Sequence, residues 1–260
     1  MKHILLIGHG SRDEEGIAQF HQMVKKVKEE LPYFPVSYCF LELAEPDIQS
    51  GVEACVKEGA EEIIALPVIL SKANHYKLDI PKELEQAGKK YPETRIHYGE
   101  HLGAHPLLVE VLLSSLRLVD QTLVEKNEEV DVILVSQGGS DPEGQEDLHM
   151  LAENLSTQIG NTRVHASFMV TADPHLTEGL DKVIEAGSRH VVILPCFLFT
   201  GTMYKKIQEM MEGYRDKHTE TTFQLADCFG ISDLFTEIVV DRVIRELHYL
   251  ESPPAKVNVS

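Results

Sequence analysis

Ile4-Leu5-Leu6-Ile7-Gly8-His9-Gly10 lies near the start of the chain, and Val132-Ile133-Leu134-Val135 begins the same pattern again 128 positions later. A four-residue apolar run that ends in a glycine-containing turn reads as a buried strand and then a tight loop. The offset of 128 recurs further along the chain. Phe40, Ala44, Pro46 and Gly51 match Phe168, Ala172, Pro174 and Gly179. Leu66, Pro67, Leu70, Tyr76 and Lys77 match Leu194, Pro195, Leu198, Tyr204 and Lys205. Gly103 against Gly230 moves the offset to 127, one deletion late in the unit. Three separated blocks at one offset describe an internal duplication, with a period far too long for a solenoid.

Within each copy, short β-branched runs alternate with amphipathic segments. Ile17, Phe20, Met23, Val24, Val27 and Leu31 fall at helical spacing, which gives a helix with one apolar face. Strands are expected over about 36–43, 63–70 and 95–98, and helices over about 46–57, 79–89 and 105–125. Such alternation implies a parallel sheet covered by helices on both faces. The polar stretch Lys126-Asn127-Glu128-Glu129 marks a boundary. The expected fold is therefore α/β: two similar parallel-sheet domains, 1–127 and 128–260, facing each other about a pseudo-twofold axis with a cleft between. Residues 252–260, which contain Pro253-Pro254, are expected to fray.

Composition narrows the function. The 260 residues are 43% hydrophobic and 25% charged, the profile of a globular chain. Lys plus Arg is 24 against 42 Asp plus Glu, a net charge of −18. Such a surface repels nucleic acid and anionic lipid, so neither is expected as a partner. The nearest basic cluster, Lys25, Lys26 and Lys28, precedes Glu29 and Glu30 and reads as a solvated helix face. No stretch approaches the roughly 20 apolar residues of a membrane span. The first residues enter a strand pattern at once, which leaves no room for a signal peptide. Cys39, Cys55, Cys196 and Cys228 stand singly, without the paired spacing of zinc or iron–sulfur sites. Reduced thiols and a cytoplasmic location are expected.

The mismatches between the copies carry the chemistry. His9 becomes Gln137, Glu42 becomes Val170, and His75 becomes Met203. All three ionisable positions fall at the carboxyl ends of strands, where ligands of open α/β sheets bind. Each alone has a bland reading: a turn histidine, an outward strand-end carboxylate, an exposed loop histidine. Jointly, two imidazoles and one carboxylate make a divalent-metal or acid/base site. The first half reads as equipped and the second as the opposite wall. Gly8-His9-Gly10-Ser11-Arg12 is neither a dinucleotide fingerprint nor a phosphate-binding loop. His101 and His105 are four apart, as zinc ligands on a helix would be. Gly103 and Pro106 interrupt that helix, so a loop at a helix start is expected.

Gly8-His9-Gly10-Ser11-Arg12, Phe40-Leu41-Glu42-Leu43-Ala44-Glu45-Pro46, Leu66-Pro67, His75-Tyr76-Lys77-Leu78-Asp79-Ile80-Pro81 and Leu198-Phe199-Thr200-Gly201 occur in this order. Their order and spacing, over nearly the whole chain, resemble the class II tetrapyrrole chelatases. The resemblance is strongest to the two-domain sirohydrochlorin ferrochelatases of siroheme biosynthesis. It implies that His9 and His75 bind the metal, and that they and Glu42 serve catalysis by taking protons from the ring. It also implies sirohydrochlorin as partner and Fe2+, with Co2+ or Ni2+ as variants, as metal substrate, with no permanently bound cofactor. Related cobaltochelatases share the fold and site. Some long members add a histidine-rich stretch or a cysteine-bound iron–sulfur centre near the C-terminus; this sequence has neither, which favours iron.

Metal insertion removes two N–H protons and needs an ion partly stripped of water. Neutral imidazole suits both tasks near pH 7 and holds ferrous or cobaltous ion without the grip of several thiolates. A polycarboxylate ring against a chain of charge −18 requires local donors. Ser11, Arg12, Lys72, Asn74 and helix-start N–H groups are the candidates. Lys77 has a repeat mate in Lys205, which points to a structural role. A monomer is expected, since the duplication can replace the dimer that a half-length relative needs. A non-catalytic carrier using the same cleft is the alternative from another class.

Overall fold

A computed structural model describes residues 1–71, 74–103, 105–119, 130–139, 141–159 and 162–251. The first copy runs β1 (Lys2–Gly8), α1 (Glu14–Glu30), β2 (Val36–Phe40), α2 (Ile48–Lys57) and β3 (Glu62–Pro67). A π-helical turn (His75–Asp79) then leads into α3 (Ile80–Lys90), β4 (Arg95–Tyr98) and α4 (Leu108–Val119). The second copy runs β5 (Asp131–Ser136), α5 (Pro142–Gln158), β6 (Arg163–Phe168) and α6 (Leu176–Glu185). It ends with β7 (His190–Pro195), α7 (Thr202–Lys217), β8 (Thr222–Leu225) and α8 (Asp233–Glu251). Each copy forms a four-stranded parallel sheet, ordered β2-β1-β3-β4 and β6-β5-β7-β8. The expected α/β architecture of two similar parallel-sheet domains is the one observed.

Strand alternation sets the layers. Ile4 and Leu6 of β1 and Ile64 and Leu66 of β3 point inward to a core that also holds Val132, Leu134, Val192 and Leu194. Leu5, Ile7, Ile63 and Ala65 face outward under α2 and α3. Ile133, Val135, Val191 and Ile193 do the same under α6 and α7. The two inner faces thus share one core. Helices α1 and α5 lie in it, through Phe20, Met23 and Val27 and through Leu148, Ala152 and Leu155.

The last helix of each copy crosses over. α4 packs on α5 and β7, while α8 packs on α1 and β3. The chain boundary expected after residue 127 lies outside the described residues, as do 252–260 and the end of the expected 105–125 helix. The sharing of helices means that neither copy closes its own inner face. A second exchange is reciprocal: Lys77 pairs with Asp141 at 2.7 Å, and Lys205 pairs with Asp13. These are the same two repeat positions with the halves interchanged, the mark of a twofold relation. Both aspartates also cap helices: Asp13 accepts from Gly16 N–H and Asp141 from Glu143 N–H. The structural role read for Lys77 is thereby accounted for.

Strands β2 and β3 end earlier than expected, at Phe40 and Pro67. Beyond Phe40 the chain leaves the strand ladder but stays tied to the loop after β1. Leu41 N–H donates to Gly8 O at 2.9 Å and Glu42 N–H to His9 O at 3.0 Å. Gly10 is required here. Its φ is +93°, and a Cβ would sit 1.7 Å from the Glu42 carbonyl oxygen. Glu42 is therefore a loop residue locked onto the His9 turn and not a strand-end side chain.

Candidate metal centre

β1 and β3 are neighbours in the first sheet, so the loops at their carboxyl ends emerge side by side. His9 follows β1, Glu42 follows β2 and His75 opens the π-helical turn after β3. Their ligand atoms lie within 4.8 Å of one another, and among the described residues no other such group of three occurs. The two imidazole rings meet edge to face, with centroids 4.9 Å apart. His9 Nε2 is 3.5 Å from Glu42 Oε1.

The hydrogen bonds fix which nitrogen is free. His9 Nδ1 is 3.1 Å from Gly10 O, and a carbonyl can only accept, so Nδ1 carries the proton. His75 Nδ1 donates to Asp79 Oδ2 at 2.8 Å. Both Nε2 lone pairs are left for a metal or a proton. Two imidazole nitrogens and one carboxylate oxygen suit ferrous, cobaltous or nickel ion and leave coordination positions open. All three side chains are partly exposed, His9 by 38%, His75 by 45% and Glu42 by 49%, so a ligand can reach them.

His9 and His75 open on a cleft of about 1050 Å³ lined by both halves, at the upper end of small-molecule sites. His9 and His75 stand on one wall; Gln137 and Met203, their repeat mates, line the same cleft. Phe20, Phe40 and Phe199 give an apolar stretch, with the Phe20 ring 4.9 Å from Phe40 and 5.7 Å from Phe199. Ser11, Arg12 and Asn74 line the cleft as expected. Ser11 Oγ also accepts from Asp13 N–H at 3.0 Å. Lys72 lies outside the described residues. Arg12 is the only Lys or Arg among the described residues of the lining.

Neither the other histidine pair nor the cysteines compete as ligands. His101 and His105 are buried in the loop before α4, as their interrupting Gly and Pro predicted. They point to separate partners: His101 Nδ1 to Leu70 O at 3.3 Å, and His105 Nε2 to Asp241 at 2.8 Å. All four cysteines are unpaired thiols. Burial pushes Cys55, Cys196 and Cys228 up to about 12 and Cys39 higher still, so none offers a thiolate near neutral pH.

Asp79 is the site residue that the sequence reading missed. It orients His75 and fixes its tautomer. The signal was present: positions 75 and 79 are four apart, the spacing that places side chains on one helix face. The turn itself is anchored by Tyr76, whose ring lies 5.1 Å from both Tyr98 and His101, and whose carbonyl accepts from Tyr98 Oη at 3.0 Å.

Comparison with known proteins places these features. A Priestia megaterium sirohydrochlorin cobaltochelatase is 34% identical over 243 residues, covering 93% of this chain and 79% of the relative. A sirohydrochlorin ferrochelatase from the same organism is also 34% identical over 243 residues, covering 94% and 90%. The solved structure of SirB from Bacillus subtilis with Fe3+ superposes with a TM-score of 0.83 at 27% identity, over 96% of this chain and 97% of SirB. Among the described residues, no helix is long and apolar enough to cross a membrane. The CbiX family pattern matches twice, over residues 3–118 and again over 131–246. The duplication read from the sequence is thus two copies of one family unit, and the chain belongs to the CbiX family.

Proposed function

We propose that this protein is a sirohydrochlorin ferrochelatase, which inserts Fe2+ into sirohydrochlorin and releases two protons. The observation that carries the reading is the His9–Glu42–His75 cluster at adjacent strand ends, facing a cleft large enough for a flat macrocycle. His9 Nε2 and His75 Nε2 hold the incoming ion and exchange it for pyrrole nitrogens. As the metal passes into the ring, the two pyrrole N–H protons leave to the bases nearest them, the freed imidazoles and Glu42. Two neutral nitrogens and one oxygen hold a divalent ion weakly enough to release it. Asp79 holds the His75 ring in place, with its reactive nitrogen towards the cleft. Ser11, Arg12 and Asn74, with Lys72, receive the carboxylates of the ring. The chain works as a monomer, because its two copies already supply both walls.

Cobalt is the second reading, favoured by the 34% identity to the P. megaterium cobaltochelatase. Anaerobic insertion into sirohydrochlorin, followed by absorbance with Fe2+ and Co2+ in parallel, separates the two by their kcat/KM. Binding of ring and metal without faster insertion than in buffer would make the protein a carrier and overturn the enzymatic reading.

A further inference from the structure

Leu43 directly follows Glu42 and has φ of 62°. That is the left-handed region, which costs a residue with a Cβ about 1 kcal/mol or more and is ordinarily given to Gly or Asn. The turn imposes it: three consecutive amides, of Phe40, Leu41 and Glu42, are tied to Pro46 O, Gly8 O and His9 O. The matching turn in the second copy has the same feature at Thr171, with φ of 24°. The conformation is therefore structural in both copies, but the side chain is not. Thr171 is exposed away from the cleft lining, whereas Leu43 lines the cleft and is 46% exposed. Leu78 is its counterpart on the other loop. It sits on the π-helical turn beside Asp79, lines the cleft and is 61% exposed. Two large apolar side chains thus line the cleft on the loops that carry the candidate ligands, one next to Glu42 and one three residues after His75, with much of their surface uncovered.

We propose that Leu43 and Leu78 are substrate-contact residues that seat the apolar face of the tetrapyrrole over His9 and His75. This rests on the chelatase reading above. A conjugated macrocycle has two apolar faces and a charged rim. The rim needs Arg12 and the polar loop groups, and the faces need uncovered apolar surface at the height of the metal. Burying a leucine against such a face strengthens binding by roughly ten- to a hundredfold. That gain accounts for a leucine at a position where glycine would fit the backbone better.

Leu43→Gly separates function from structure, because it relieves the left-handed strain while removing the contact. Leu43→Asn keeps the conformation and loses the apolar surface, and Leu78→Ala tests the second residue away from the strained turn. The expected result for each is a rise of about tenfold in KM for sirohydrochlorin, larger than any fall in kcat. Co2+ affinity of the ring-free protein should stay within twofold of wild type, and the melting temperature of Leu43→Gly should be equal to wild type or higher. KM within twofold of wild type in all three variants overturns the proposal, as does a melting temperature several degrees lower for Leu43→Gly, which would make Leu43 a structural residue. Wild-type protein that inserts neither metal defeats the chelatase reading itself, an outcome distinct from active variants with unchanged KM.

Discussion

The two copies keep the same backbone at the cleft and differ in what they hang on it. Gly10 and Gly138 both have positive φ, at +93° and +80°. Glu42 N–H donates to His9 O in one half, and Val170 N–H donates to Gln137 O in the other. The bridges that tie each strand end to the N-cap of the next helix, Phe40 to Asp47 and Phe168 to His175, also correspond. Yet one half presents two imidazoles and a carboxylate, and the other presents an amide, a thioether and an isopropyl group. The shared core and crossed helices hold both copies to one backbone whichever side chains they carry. The second copy is needed as a wall and as the cover for the inner face of the first sheet.

The largest expected effect breaks this asymmetry directly. His9→Ala and His75→Ala should each lower insertion about 100-fold or more, while Gln137→Ala and Met203→Ala stay within a few-fold. All four should melt close to wild type, because these side chains stand in strand-end loops or at helix starts along the cleft and not in a core. Comparable losses from both walls would make the site two-sided.

The halves also differ at the bases of their central strands, and pH reads that difference. Asp131, buried at the start of β5, accepts two hydrogen bonds from Arg163 at 2.9 and 2.8 Å and one from His165 at 2.8 Å. Burial alone would raise its pKa; these donors outweigh it and hold it at about 2. A depressed carboxylate stabilises the fold above its unfolded pKa, and that stabilisation is lost as pH falls from about 4 through about 2. The shift corresponds to about 2 kcal/mol. Asp131→Asn should remove that amount at pH 7 and flatten the acid limb of a melting-temperature profile. The repeat mate is His3, fully buried with Nδ1 unpartnered. Burial lowers its pKa, so its contribution begins to fall earlier, as pH drops below about 6.5, the ordinary histidine value. His3→Gln should flatten the profile just below that ordinary histidine value, where Asp131→Asn leaves its slope unchanged.

The smallest effect is expected at the reciprocal bridges. Lys77→Ala and Lys205→Ala break partly exposed ion pairs, which contribute little singly. Each should lower the melting temperature slightly, and by the same amount within error. A clearly larger loss for Lys77, beside His75, would show that the twofold relation is not energetically symmetric.

Much of this was legible in the sequence because periodicity and self-comparison report backbone needs. The offset of 128 located matching strands, turns and lysines, and the three mismatches located the side chains that gather as His9, Glu42 and His75. What escaped was set by tertiary pairing. The exchange of α4 and α8 leaves no periodic trace, since a helix shows an apolar stripe whichever sheet it covers. The alternation of its neighbours reads Glu42 as a strand-end residue, but the tie to the His9 loop ends the strand at Phe40. Asp79 was visible only as a residue four after His75, and its bond to Nδ1 depends on a π-helical turn that local propensity does not specify.

Cobalt soaked into ligand-free crystals, located by anomalous diffraction, tests the central claim that one copy alone binds the metal. One ion per chain should appear between His9 Nε2 and His75 Nε2, about 2 Å from each nitrogen and within reach of Glu42, facing the cleft. Density at the Gln137 and Met203 wall, or at His101 and His105 with none between His9 and His75, would contradict it.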